Sequence, residues 1–225
     1  PFVTNPDGSR GDAAYFLSAN RGKWSVAIDM ASPEGQVLIR DLAARSDIVI
    51  ENFKVGGLKK YGLDYDSLRA INPGLIYCSI TGFGQTGPLR DKPGYDFMIQ
   101  AMGGIMSVTG EPEGEPMKSG VAVSDLFAGQ NAVIAILAAL QARTQTGKGQ
   151  HLDIALFDSQ VAMLANVASN YLISGSLPKR YGNAHANIVP YQSFEASDAW
   201  FIVAVGNDRQ FEKLCGVIGK GELVS

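Results

Sequence analysis

Gly120-Val121-Ala122-Val123-Ser124-Asp125-Leu126-Phe127-Ala128-Gly129 sets one acid between two apolar runs, and the reading of this stretch decides the fold. Residues 121 to 123 predict a short buried strand. Residues 126 to 142 carry Ala, Val, Ile and Leu almost all round, which predicts a helix buried on most sides. That helix stops in Arg143-Thr144-Gln145-Thr146-Gly147-Lys148-Gly149-Gln150, a basic, glycine-ended terminus of the kind helices favour. His151-Leu152-Asp153-Ile154-Ala155-Leu156 then alternates as a strand does, and Phe157-Asp158-Ser159-Gln160-Val161-Ala162-Met163-Leu164 opens another helix.

Upstream the same alternation holds. Ser25-Val26-Ala27-Ile28 reads as a strand, and Ser32-Pro33-Glu34 starts a helix to about Arg45, with a serine cap and proline at its first position. A strand from Asp47 to Ile50, a short helix from Gly56 to Gly62, a helix at Tyr65-Asp66-Ser67-Leu68-Arg69 and a strand at Leu75-Ile76-Tyr77-Cys78-Ser79-Ile80 follow. Strand and helix in turn predict parallel α/β layering. Ser174-Gly175-Ser176-Leu177-Pro178 reads as a linker, and Tyr191 to Glu195 with Trp200 to Val205 as a hairpin.

Asp125 falls at or next to the helix N-cap and has two readings. In one it accepts the free amides of the first turn, a role for which Asp is well suited. In the other it is a nucleophile: the same amides and the helix dipole stabilise a carboxylate by roughly 0.3 to 1 kcal/mol at an exposed site, keeping it ionised in an apolar cleft.

Composition bounds the function. At 225 residues and 46% hydrophobic content the chain can bury a sizeable core, and a net charge of -3 leaves no basic footprint for nucleic acid or an anionic membrane. Cys78 and Cys215 are far apart, so neither a disulfide framework nor a metal cluster is indicated, and a reduced cytoplasm fits. No uninterrupted apolar run of ~18 residues predicts a membrane span. Gly82-Phe83-Gly84-Gln85-Thr86-Gly87 matches a dinucleotide fingerprint, but Pro88 and a loop follow where a helix is required. That argues against a nucleotide-binding dehydrogenase.

Asn52-Phe53, Leu75 to Gly84, Gly94-Tyr95-Asp96, Ser124-Asp125 and Thr146-Gly147-Lys148-Gly149-Gln150 stand in the order and spacing of the class III CoA-transferase family. The chain resembles this family from about Tyr15 to its end. The family also holds acyl-CoA racemases and carnitine CoA-transferases, and Lys179 to Gln192 is most similar to the branch acting on succinate and hydroxymethylglutarate. The resemblance implies a partial Rossmann-like parallel sheet with helices on both faces, plus the start of a smaller α+β domain. It divides the chain into a large CoA-binding domain at 1–173, a linker at 174–188 and the beginning of a small domain at 189–225. Against the family the sequence reads as a fragment truncated at both ends. An intertwined homodimer in the cytoplasm is implied as well.

The implied reaction moves CoA reversibly between carboxylic acids through an anhydride and a thioester on Asp125, with acyl-CoA as substrate, no permanently bound cofactor and no metal. Asn52 and Phe53 contact the pantetheine arm in this reading, and Lys60, Arg21 and Lys23 reach CoA phosphates; solvated surface cations are the plain alternative for those three. Tyr15 aligns with a tyrosine of the acyl pocket, or is an ordinary strand aromatic. Tyr95 stands where the racemases carry histidine. A phenol, ionising at about pH 10, is a poor base at neutral pH, which favours transfer over racemisation. Asp96 assists Asp125 or caps the helix that begins there. His185 replaces a glycine lid and either meets the acceptor's far carboxylate or is structural. A CoA-binding remnant without turnover is a further alternative.

Overall fold

The alternation along the chain folds as parallel layering. The computed structural model describes residues 1–224. Its N-terminal arm carries β1 (Phe2–Thr4), β2 (Arg10–Ala13) and α1 (Ala14–Asn20). Next come α2 (Pro33–Ala44), β3 (Ile48–Glu51), α3 (Tyr65–Ile71), β4 (Ile76–Thr81), α4 (Asp96–Met102) and α5 (Ile105–Val108). The long α6 (Val123–Thr146), β5 (His151–Ala155), α7 (Leu156–Ala162) and α8 (Ala165–Ser174) follow. A hairpin of β6 (Tyr191–Glu195) and β7 (Trp200–Ala204) precedes α9 (Asp208–Val217).

β3, β4 and β5 form one three-stranded parallel sheet in that order, with Ile50 opposite Cys78 and Cys78 opposite Leu152. Period-two alternation along β4 sends Ile76 and Cys78 against Ala132, Ile136 and Ala139 of α6. Tyr77 goes the other way, onto a cluster with Ala43 of α2 and Leu68 of α3. Helices therefore cover both faces, as the sequence predicts. Leu75 and Ile76 are wholly buried, and each such side chain contributes about 1.5–3 kcal/mol. Arg143, near the end of α6, fastens this layer: it donates to the Gly74 carbonyl at 2.9 Å and to Asp47 at 2.8 Å.

Ser32 caps α2 as expected, its hydroxyl accepting the Gly35 amide at 3.0 Å. Four other expectations fail. Residues 25 to 28 are not a strand, because no neighbour supplies a ladder and β3 pairs only with β4; Trp24 beside them is 99% exposed. Residues 121 to 123 are not a strand either, since Val121 is exposed and the helix has already begun at Val123. The helix from Gly56 shrinks to a 3₁₀ turn at Lys59–Tyr61, closed by Gly62 at φ 64°. Tyr15 lies on α1 and not on a strand.

α6 is also less covered than its composition predicts. Among its 24 residues only Ser124, Ala128, Ala132, Ile136 and Ala139 are buried, because a three-stranded sheet takes one stripe of a helix. On the far side Ile134 is 65% and Leu137 60% exposed. By length and composition alone α6 could cross a membrane, which the sequence reading did not expect. Its Ala132 and Ile136 stripe lies on the sheet instead.

The link that matters for function is a backbone crossing. A Cβ on Gly94 would lie 2.3 Å from Gly82 Cα, and one on Gly82 would lie 2.5 Å from Gly94 Cα. Two side-chain-free residues thus let the loop after β4 fold back and set Tyr95 and Asp96 beside the strand's C-terminal end. Gly94→Ala will force these backbones apart and cost at least about 2 kcal/mol, read as a lowered urea midpoint.

Candidate active site

The carboxyl ends of parallel strands are where open α/β sheets leave a crevice. Here the chain turns at Asn52 after β3, Gly82 after β4 and Leu156 after β5. Asn52 donates its side-chain amide to the Ile80 carbonyl, tying two of these turns together. The resulting cavity, about 310 Å³, is lined by Asn52, Tyr95, Asp96 and Asp125 over a floor of Ile80 and Leu156. Gly94 and Gly129 complete the lining, and a Cβ on Gly129 would meet nothing within 4 Å.

The structure separates the two roles that Asp125 could have played. Asp125 is the third residue of α6, and no side chain of that helix's own start caps it. The capping acceptor comes from another helix: Asp96 Oδ1 accepts the Ser124 amide at 2.9 Å, and its Oδ2 accepts Gln100 Nε2 at 2.7 Å. Among the described residues the Asp125 carboxylate accepts no hydrogen bond. It is a free carboxylate in a cavity and not a cap.

Its electrostatics follow. Asp125 retains a solvent-facing side, yet its carboxyl is pushed above the ordinary value, first by burial against its neighbours and second by the Asp96 carboxylate. The direction is opposite to the one the helix dipole alone predicts. Asp125 is itself exposed, and a carboxylate that no donor holds is a stronger nucleophile than one held by donors. Cys78, on the central strand of the sheet, is fully buried, and burial, then Glu51 and Asp153, push its thiol up to about 11.

A second cavity, about 380 Å³, adjoins the first and shares Asn52, Gly94 and Tyr95 with it. Phe53 lines it together with three cations, Lys54, Arg90 and Lys92, and one acid, Asp91, whose carboxylate lies 3.5 Å from Arg90 Nε. These three escape a reading of the sequence, where they sit in turns indistinguishable from solvated loop; only Lys54, next to Asn52 and Phe53, carried a positional signal. Lys60 lies on the 3₁₀ turn with its ammonium 4.6 Å from the Tyr61 ring centre, outside both cavities. Arg21 and Lys23 are exposed after α1, and Lys23 donates to the Ala19 carbonyl. Tyr15 is 77% exposed and lines neither cavity.

His185 also stands apart from both. Its Nδ1 accepts the amides of Asn187 at 3.0 Å and Ile188 at 3.2 Å, which places the ring proton on Nε2, and the ring leans on Tyr191. This histidine fixes its own loop. The dinucleotide fingerprint behaves as its context predicts: residues 82 to 95 form loop, and the next helix opens only at Asp96.

The profile of CoA-transferase family III matches residues 3–225. The chain is 56% identical over 223 residues to the succinate–glutarate CoA-transferase of Agrobacterium fabrum, covering 99% of this chain and 56% of that protein. It is 45% identical over 224 residues to the succinyl-CoA:glutarate CoA-transferase of Mus musculus, covering 100% of this chain and 50% of that protein. The chain thus spans about half the length of the curated relatives it matches. Among solved structures, a CaiB/BaiF family protein from Brucella suis superposes with a TM-score of 0.85 at 60% identity, over 99% of this chain and 58% of that one.

A carboxyl whose folded value is raised favours the fold below its ordinary value of 3.8, and that contribution is lost as pH rises through the folded value. Ionised Asp125 therefore costs stability at neutral pH. Asp125→Asn will melt higher than the parent at pH 7, and the gap will close as pH falls toward 3.8 in a melting series.

Proposed function

Because the chain belongs to CoA-transferase family III, we propose that it moves CoA reversibly between an acyl-CoA, succinyl-CoA or another dicarboxylyl-CoA, and a free carboxylic acid, with Asp125 as nucleophile. The observation that carries this is the ungripped Asp125 carboxylate in a cavity at the strand ends, its capping duty taken by Asp96. Relatives named for succinate, succinyl-CoA and glutarate support a dicarboxylate as the acid.

The steps balance as follows. An Asp125 oxygen bonds to the thioester carbonyl carbon, the C–S bond breaks, and its electron pair leaves on CoA thiolate. The product is a mixed anhydride. The thiolate then bonds to the Asp125 carbonyl carbon, the anhydride C–O bond breaks, and the first acid departs as carboxylate from an aspartyl-CoA thioester. An incoming carboxylate reverses both steps. A carboxylate suits this exchange because the anhydride keeps the acyl group activated, whereas a serine ester would trap it. Water hydrolyses an anhydride, so this reading requires bound substrate to cover the open side of the cavity, opposite its apolar Ile80 and Leu156 lining.

In this reading Asn52 and Phe53 hold the pantetheine arm, and Lys54, Arg90 and Lys92, whose cavity adjoins that of Asp125, meet the CoA phosphates. Lys60, Arg21 and Lys23 at the phosphates, and Tyr15 and His185 on the acyl side, rest on the family resemblance alone. The division into 1–173, 174–188 and 189–225 belongs to the same reading; α8 ending at Ser174 and the hairpin at Tyr191–Glu195 support it. Two buried free thiols support a reduced, cytoplasmic setting. Racemisation is the second reading, but of the two histidines neither lines the Asp125 cavity, and Tyr95 does.

Incubation with succinyl-CoA will give a covalent adduct in the intact mass that hydroxylamine removes, that maps to the peptide holding Asp125, and that Asp125→Ala lacks. Absence of an adduct both in this chain and in one extended to the relatives' length would overturn the reading. A homodimer is part of the proposal, and the uncovered Ile134 and Leu137 side of α6 supports it. Leu137→Glu, on the side a partner copy would cover, will shift sedimentation from dimer to monomer and remove the rise of melting temperature with protein concentration that a dimer gives.

A further inference from the structure

Gln100 is a wholly buried polar side chain behind the cavity. It lies on α4 four residues after Asp96, on the same helix face, and is 0% exposed. Its Nε2 donates to Asp96 Oδ2 at 2.7 Å, and its Oε1 accepts the Ser119 amide at 2.9 Å. Ser119 belongs to the segment that leads into α6, so one amide ties the capping carboxylate to the backbone approaching the helix it caps.

The amide cannot be turned over. Reversed, its NH₂ would face the Ser119 N–H and its oxygen would face the Asp96 carboxylate, placing donor on donor and acceptor on acceptor. A buried polar chain of this kind holds one geometry when every member is satisfied and degrades when one is not. The order is Ser119 N–H to Gln100, Gln100 to Asp96, and Asp96 to the Ser124 N–H. Asp125 follows Ser124 directly.

We propose that Gln100 is a positioning residue for the Asp125 nucleophile: it aims the Asp96 carboxylate at the first turn of α6, so that Asp96 caps the helix and Asp125 faces the cavity unbound. Gln100 lines neither cavity and touches no reactant. It acts through Asp96, and only a side chain that is acceptor on one side and donor on the other fits between Ser119 and a carboxylate. The role in catalysis rests on the reading of Asp125 proposed above.

A four-member cycle tests it: parent, Gln100→Glu, Asp96→Asn and the double variant. In Gln100→Glu two carboxylates face each other once the pair has shed its shared proton, so the four proteins are compared at alkaline pH, and in Asp96→Asn two amide NH₂ groups do. In the double variant the pattern is restored with its polarity reversed, since the introduced amide can accept from Ser124 and donate to the introduced carboxylate, which still accepts from Ser119. Each single variant will slow adduct formation from succinyl-CoA by roughly 10- to 100-fold with little change in the concentration dependence, as a displaced reactive group does. Each will also speed hydrogen exchange of the Ser124 amide. The double variant will recover at least about tenfold of the rate over the slower single variant and regain the Ser124 protection.

A double variant no faster than the slower single one overturns the proposal, as does a Gln100→Glu chain with unchanged rate and protection. Gln100→Met, near in shape and uncharged, serves if Gln100→Glu does not fold; full rate and full protection there overturn the proposal equally. If the parent forms no adduct while Ser124 protection still follows the cycle, the transferase reading fails and the hold of Gln100 on the start of α6 stands.

Discussion

One carboxylate joins the two helices on which the site depends. The first turn of any helix presents amides without internal partners, and α6 takes no acceptor for them from its own first residues. Asp96, from α4, supplies it. That bond ties the start of α6 to α4, next to the close approach of Gly82 and Gly94 that returns the chain to the end of β4. The glycine crossing, the cap and the orientation of Asp125 form a single dependency.

The same arrangement places two acids in one cavity with unlike surroundings. Asp96 has a donor on each oxygen, whereas Asp125 has none among the described residues and is flanked by Ile80 and Leu156 in the cavity wall. Environment divides paired carboxylates into different roles. A doubly bonded carboxylate is a fixture, and a bare one is chemically available. Burial and the neighbouring Asp96 raise the Asp125 carboxyl above its ordinary value, as the absence of donors on it allows.

Much of this was legible from residue order. The parallel strands announced themselves as short apolar runs, and the start of α2 as Ser32-Pro33-Glu34, because these features depend on local chemistry. Asp125 was legible as an acid at a helix start, and Asp96 as either a cap or an assistant. That Asp96 caps the other helix was not, because the bond spans 28 positions and hinges on two glycines meeting. Residues 25 to 28 and 121 to 123 misled for a related reason: apolar composition licenses a strand, but a ladder partner makes one, and partners are not written in sequence. Lys54, Arg90 and Lys92 were hidden because a cation in a turn looks the same whether it faces water or a cavity.

Gly129 sits one helical turn after Asp125, in the interior of a 24-residue helix, where glycine is less favourable than alanine by roughly 0.8–1 kcal/mol. Neither packing nor backbone geometry asks for it, since an added Cβ would meet nothing within 4 Å. What the position contributes is vacancy. The space beside the Asp125 carboxylate therefore includes one position that can be enlarged by a Cβ without disturbing a neighbour. One methyl group there would gain helix stability while it narrows the chamber, and any larger side chain would narrow it further at the expense of part of that gain.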